Sequence, residues 1–178
     1  MKIIGKNPIT GLDYPDPDVI RVDDTYYMVS TTMHFVPGCE ILRSYDLVHW
    51  EHLSYVYERL DSTEEQRLVG EKNCYGKGMW AASLRYHKGM YYICFVANDN
   101  GKTYLYTADN IEGPWEKRII EGFYHDCSLL FEDDHVYIVS GNRNIRLQEL
   151  KKDLSGPKEG GLDRILVSDS RNPGLGFE

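Results

Sequence analysis

The stretch Tyr14-Pro15-Asp16-Pro17-Asp18-Val19-Ile20-Arg21-Val22-Asp23-Asp24-Thr25-Tyr26-Tyr27 places a carboxylate between two prolines and runs straight into an alternating apolar strand. Each proline fixes its own φ and restricts the residue before it, so Asp16 is expected to be stiff and excluded from a helix. A carboxylate aimed by its backbone at the mouth of a strand suits a catalytic base, for which placement matters more than reactivity. Asp-Pro is also ordinary turn chemistry at a strand start, and the stretch alone does not separate the two. Its recurrence does.

Residues 18–27 align through their aromatic pairs with Ser83-Leu84-Arg85-Tyr86-His87-Lys88-Gly89-Met90-Tyr91-Tyr92 and with Ser128-Leu129-Leu130-Phe131-Glu132-Asp133-Asp134-His135-Val136-Tyr137. Each copy reads as a strand, a tight polar turn and a second strand. A further module, Leu42-Arg43-Ser44-Tyr45-Asp46-Leu47-Val48-His49-Trp50, recurs as Tyr106-Thr107-Ala108-Asp109-Asn110-Ile111-Glu112-Gly113-Pro114-Trp115, with a weaker third copy over 147–155. A four-stranded unit repeated at intervals of 65 and 45 residues marks β-propeller blades, the uneven spacing reflecting inserted loops such as 57–78. The chain is therefore expected to be all-β. Residues 1–178 read as the N-terminal portion of one propeller domain, with blades at roughly 14–60, 79–120 and 124–168 and the start of a fourth over 171–178. A closed propeller takes about four to eight blades, so a fragment is expected. Its open strand edge and blade faces should seek a complementary polypeptide or another copy of the chain. No window shows a convincing amphipathic helix; 62–68 offers one or two turns at most.

Composition narrows the function classes. Hydrophobic residues at 42% and charged residues at 27% are those of a globular protein, and 178 residues suffice for one core. The 14 Tyr stand out, since their apolar face and polar edge suit both strands and ligand-stacking sites. A net charge of -8 argues against a nucleic-acid partner and against docking on an anionic membrane. Cys39, Cys74, Cys94 and Cys127 form no CxxC pair and are expected to be isolated buried thiols. No signal-peptide h-region and no membrane-spanning run is present, so a cytoplasmic location is expected.

Carried through the repeat, the slot of Asp16 falls on Ala81 in the second blade and Asp126 in the third. The start of each innermost strand lies at one end of the propeller channel, so two carboxylates are expected to converge there. Paired carboxylates are the machinery of glycosidic bond cleavage, although aspartates at blade starts also cap turns.

Asn7-Pro8, Tyr14-Pro15-Asp16-Pro17-Asp18, Phe35-Val36-Pro37-Gly38, Ser44-Tyr45-Asp46-Leu47-Val48-His49-Trp50, Met79-Trp80-Ala81-Ala82-Ser83, His125-Asp126-Cys127-Ser128 and Gly176-Phe177-Glu178 together resemble glycoside hydrolase family 43. That resemblance implies a five-bladed propeller and a β-xylosidase or α-L-arabinofuranosidase working by inversion. By resemblance, Asp16 is the general base, Asp126 the carboxylate that raises the acid's pKa and orients it, and Glu178 the general acid. An inverting base and acid stand roughly 6.5–9.5 Å apart. Trp80 matches a pocket-lining residue beside the axial Ala81, and Met33, His34 and Phe35 are candidates for a second substrate wall. The six His show no metal spacing, and His125 is expected to be a hydrogen-bonding neighbour of Asp126. No cofactor is required; the resemblance leaves open a central calcium whose usual site falls largely outside this chain. Trp80-Ala81-Ala82-Ser83 departs from the family's Trp-Ala-Pro pattern. The implied function is an inverting exo-glycosidase that releases xylose or arabinose from xylan or arabinoxylan oligosaccharides. The rival is a non-catalytic propeller for sugar binding or protein docking. The Gly-His and Trp-Asp dipeptides of docking propellers are absent from the sequence.

Overall fold

The computed structural model describes residues 5–169, and among them there is no helix. Twelve strands follow one another: β1 (Asp18–Val22), β2 (Thr25–Val29), β3 (Gly38–Ser44), β4 (Glu51–Tyr57), β5 (Met79–His87), β6 (Met90–Ala97), β7 (Lys102–Ala108), β8 (Glu116–Ile120), β9 (Ser128–Glu132), β10 (His135–Ser140), β11 (Asn144–Leu150) and β12 (Asp163–Ser168). They form three four-stranded antiparallel meanders, β1–β4, β5–β8 and β9–β12, the blades of a propeller. The innermost strands β1, β5 and β9 touch in that order. The excursion at 62–68 makes only loose turns.

The repeat survives at the level of single residues. Val22 pairs with Thr25, His87 with Met90 and Glu132 with His135, so each inner hairpin turns on two residues. The first residue of each turn, Asp23, Lys88 and Asp133, has φ near +50° (52°, 49° and 51°). These three positions stand 65 and 45 apart, the spacings at which the sequence aligned.

Period-two alternation decides what each blade buries. In the middle blade Leu84, Ile93, Phe95, Tyr104 and Tyr106 face the first blade, where they meet Val29, Ile41, Val56 and Tyr57. Cys94, Leu105 and Ile120 point the other way and meet Cys127, Leu129, Ile138 and Leu150 of the third blade. A blade packed on both faces reads as continuous apolar sequence, which is why β6 and β7 are buried almost throughout. The abundant tyrosines fill the first seam as stacked rings, with centroids 5.9 Å apart for Tyr57–Tyr106 and 5.6 Å for Phe95–Tyr104. All four cysteines are buried, as expected, but they are not all isolated. Cys94 and Cys127 lie on facing sides of one seam, and their Sγ atoms are 3.2 Å apart.

The remote faces of the first and third blades have no neighbour among the described residues. Val19, Leu130, Ile165 and Val167 are 41–54% exposed, and cavities of about 700 and 720 Å³ lie against Val19, Met28 and Trp50 of the first blade and against His125, Arg146 and Ile165 of the third.

Two polar clamps hold the blades in place. Arg85 on β5 reaches all three inner strands: Nη1 donates to Asp18 Oδ2 (2.6 Å), Nη2 to Ser128 Oγ (2.5 Å) and Nε to the Leu129 carbonyl (3.1 Å). The backbone N–H of Leu84 adds a 2.9 Å bond to the same Asp18 oxygen. At the far end of the second blade Asp61 accepts from Lys102 Nζ (2.6 Å), Tyr104 Oη (2.7 Å) and Lys117 Nζ (3.0 Å), tying the 58–78 excursion to β7 and β8. Burial alone would raise the Asp61 pKa, but these hydrogen bonds outweigh it and hold it at about 2.

A folded-state pKa below the unfolded value of about 3.9 gives stability that is present above about pH 4 and lost as the pH falls through about 2. Asp61→Asn is therefore expected to cost about 2 kcal/mol at neutral pH and to flatten the stability profile between pH 4 and pH 2, measured by urea unfolding.

Candidate active site

The three slots predicted from the repeat are structurally equivalent. The residue before each slot is paired sixteen positions on. The Pro15 carbonyl accepts from Thr31 N–H (3.0 Å), Trp80 pairs with Val96, and the His125 carbonyl accepts from Gly141 N–H (2.9 Å). The slot residues themselves share one backbone conformation, left-handed at φ 49° for Asp16, 42° for Ala81 and 48° for Asp126. Pro17 keeps Asp16 out of the right-handed helical region, as expected. The conformation it adopts instead costs an L-residue roughly 1–2 kcal/mol, and single Asp residues tolerate it better than most. Such a kink breaks the alternation of the strand pleat at each slot.

Thr31, at the end of β2, organises the first slot. Its Oγ1–H donates to Asp16 Oδ2 (2.6 Å) while the same oxygen accepts from the Ala81 backbone N–H (2.8 Å). One hydroxyl therefore fixes the Asp16 carboxylate and joins the first slot to the second. Ser30 Oγ also donates to the Pro15 carbonyl (2.5 Å). On the third blade His125 Nε2 stands 3.4 Å from Asp126 Oδ2, with both side chains about one-third exposed. The two aspartates occupy the same slot of their respective blades. Asp18 and Ser128, each two residues beyond its slot, bond the same Arg85 guanidinium.

The proposed walls rise beside these slots. Met33 and Met79 exchange two backbone hydrogen bonds (2.9 and 3.0 Å), which brings the first-blade loop alongside Trp80. The close approach requires Gly78, where an added Cβ would lie 2.2 Å from the Met33 carbonyl oxygen. Trp80 is half-buried, and its indole N–H has no hydrogen-bond partner among the described residues. His34 stacks between Phe35 and Tyr75, with ring centroids at 4.3 and 4.7 Å, and accepts at Nδ1 from Gly76 N–H (3.2 Å). Phe35 and Tyr75 are 65% and 80% exposed, so this stack faces outward. A cleft of about 300 Å³ beside the first slot is lined by Tyr14, Pro15, Thr31, Met33, Phe35 and Tyr55.

Glu178 lies outside the described residues. Among those described, no group of three His, Cys, Asp or Glu side chains is placed to hold a metal ion, and Arg85 brings positive charge to the inner strands. No motif or period in the sequence marks Thr31 or Tyr75 as part of the site. Arg85 alone left a visible signal, a charge at an inner-strand position where the other copies carry Ile20 and Leu130.

The profile of glycosyl hydrolases family 43 matches residues 5–171. The chain belongs to this family. A β-xylosidase of Formosa agariphila is 33% identical over 165 residues, covering 89% of this chain and 27% of that protein. A non-reducing end α-L-arabinofuranosidase of Bacteroides ovatus is 37% identical over 141 residues, covering 76% of this chain and 26% of its own length. Among solved structures, a bifunctional GH43-CE protein of Bacteroides eggerthii superposes with a TM-score of 0.89 at 45% identity, covering 97% of this chain and 23% of that one. The chain thus spans about a quarter of the length of the family 43 proteins it matches here.

Two substitutions test the slot geometry by urea unfolding. Ala81→Gly, which relieves the left-handed strain, is expected to stabilise the chain by about 1 kcal/mol. Thr31→Val, which leaves the Ala81 N–H and one Asp16 oxygen without their partner, is expected to destabilise it by about 1–3 kcal/mol, with Thr31→Ser restoring most of the loss.

Proposed function

We propose that this chain forms the N-terminal blades of an inverting exo-glycosidase that removes xylose or arabinose from xylan or arabinoxylan oligosaccharides. The observation that carries this is the pair of left-handed aspartates, Asp16 and Asp126, in equivalent slots of their blades, with Asp16 held by Thr31. Thr31 engages Oδ2 and leaves Oδ1 of Asp16 to accept a proton from water. That water attacks the anomeric carbon from the face opposite the leaving group as Asp16 takes its proton. On the other face a general acid protonates the departing oxygen; the family resemblance assigns this to Glu178. Asp126 disfavours ionisation of that acid and so keeps its proton available near neutrality. Trp80 offers its indole face to the sugar's C–H surface, and Met33, His34 and Phe35 supply another wall. The pentose specificity follows the names of the matched relatives, a β-xylosidase and an α-L-arabinofuranosidase.

Further blades are needed to complete the channel, supplied by a complementary polypeptide or by another copy of the chain. Support comes from the apolar remote faces of the first and third blades, where Val19, Ile165 and Val167 stand exposed.

The test is hydrolysis of p-nitrophenyl β-D-xyloside and α-L-arabinofuranoside by the chain alone and combined with polypeptide supplying blades four and five. Activity is expected in the completed propeller, with inverted anomeric configuration by NMR and a loss of about 10²–10⁴-fold in kcat for Asp16→Ala. Activity untouched by Asp16→Ala would overturn the mechanism. A completed propeller that binds xylotriose without hydrolysing any glycoside would identify a sugar-binding scaffold instead.

A further inference from the structure

Cys94 on β6 and Cys127, the residue before β9, belong to different blades and are 33 positions apart, yet their sulfurs meet at 3.2 Å. Both side chains are buried, at 0% and 3% exposure, among Leu105, Ile120, Tyr124 and Leu129 in the seam between the second and third blades. Packing alone does not call for two facing thiols, since a seam of this kind is filled equally well by aliphatic side chains. The other two cysteines serve no such contact: Cys39 belongs to the separate core between the first and second blades, and Cys74 lies in the 58–78 excursion. Cys127 also follows Asp126 directly, so whatever fixes Cys127 fixes the third slot.

We propose that Cys94 and Cys127 are an oxidation site, closing under peroxide into a reversible disulfide that staples the third blade, at Asp126, to the second. One sulfur attacks hydrogen peroxide, the O–O bond breaks, and a sulfenic acid and one water form. The second sulfur then displaces the sulfenic oxygen, the S–S bond forms, and a second water leaves. Two thiols give up two electrons and two protons, and one peroxide is reduced to two waters. The sulfurs must approach by about 1.1 Å to reach bonding distance, a movement within reach of side-chain rotation.

The hydrogen bond to Cys127, together with burial, pushes the Cys94 thiol well above its ordinary pKa, and both sulfurs are closed off from solvent in the intact seam. Oxidation therefore proceeds when the seam opens locally, and a small oxidant is favoured over a bulky one. A bond across 33 residues restrains the unfolded chain, which gives the oxidised form the higher melting temperature.

The test treats the chain with hydrogen peroxide at neutral pH, with and without mild urea. It is then denatured, alkylated without reductant, and mapped by mass spectrometry. Expected are a loss of two hydrogens, a linked pair of peptides carrying Cys94 and Cys127, alkylation of Cys39 and Cys74 only, and reversal by dithiothreitol. Linkage should be faster in mild urea and should raise Tm by about 5–10 °C, as befits one cross-link in a domain of this size. Cys127→Ser should show neither the linkage nor the Tm rise. Alkylation of all four thiols after treatment, oxidation of single cysteines without linkage, or equal linkage through Cys39 or Cys74 would overturn the proposal. The mapping uses the unaltered chain and decides the matter even if Cys127→Ser does not fold.

Discussion

One guanidinium ties the three inner strands together. Arg85 sits where the other copies of the repeat carry Ile20 and Leu130, and it spends its donors on Asp18 of the first blade, Ser128 of the third and the Leu129 carbonyl. Hydrophobic seams hold blades face to face but leave them free to slide, because burial is non-directional. A planar fork of donors fixes angle and register as well. The two carboxylates proposed for catalysis lie two residues from its partners. The clamp therefore acts on the backbone next to both of them.

The slots add a second constraint, in the backbone. Three successive blades begin with a left-handed residue, and in two of them that residue is Asp. Sparsely populated conformations persist only where the surroundings over-determine them, and they gather where side chains must be aimed. At Asp16 the surroundings are visible: Thr31 and Ser30 hold the Pro15 carbonyl, and the Thr31 hydroxyl holds the carboxylate. At Ala81 the same strain is present with no functional group to aim. The conformation thus belongs to the blade architecture and does not depend on which side chain occupies the slot.

The middle blade shows how sequence and packing divide the work. Its strands are buried on both faces because alternate residues feed two cores, the tyrosine stack on one side and the smaller cysteine-containing seam on the other. The outer strand β12 is exposed throughout, although Ile165, Leu166 and Val167 are as apolar as anything inside. Identical residue types thus stand buried or exposed according to whether a neighbouring blade packs against them.

Much of the architecture was determined by sequence alone. Strand alternation, two-residue polar turns and the spacings of 65 and 45 established a propeller repeat, and carrying Asp16 through it located Ala81 and Asp126. These features are local or periodic, set by side-chain alternation and turn stereochemistry, and so are written in residue order. Only the tertiary structure decided that Thr31 bonds Asp16 fifteen positions away, that Arg85 reaches strands on both sides, that Tyr75 joins the stack of His34 and Phe35, and that Cys94 touches Cys127. The first is set by the open end of one hairpin, and the others by how two blades or two loops face one another. No sequence period reports that geometry, because it arises from the packing of surfaces and not from the conformation of any one stretch.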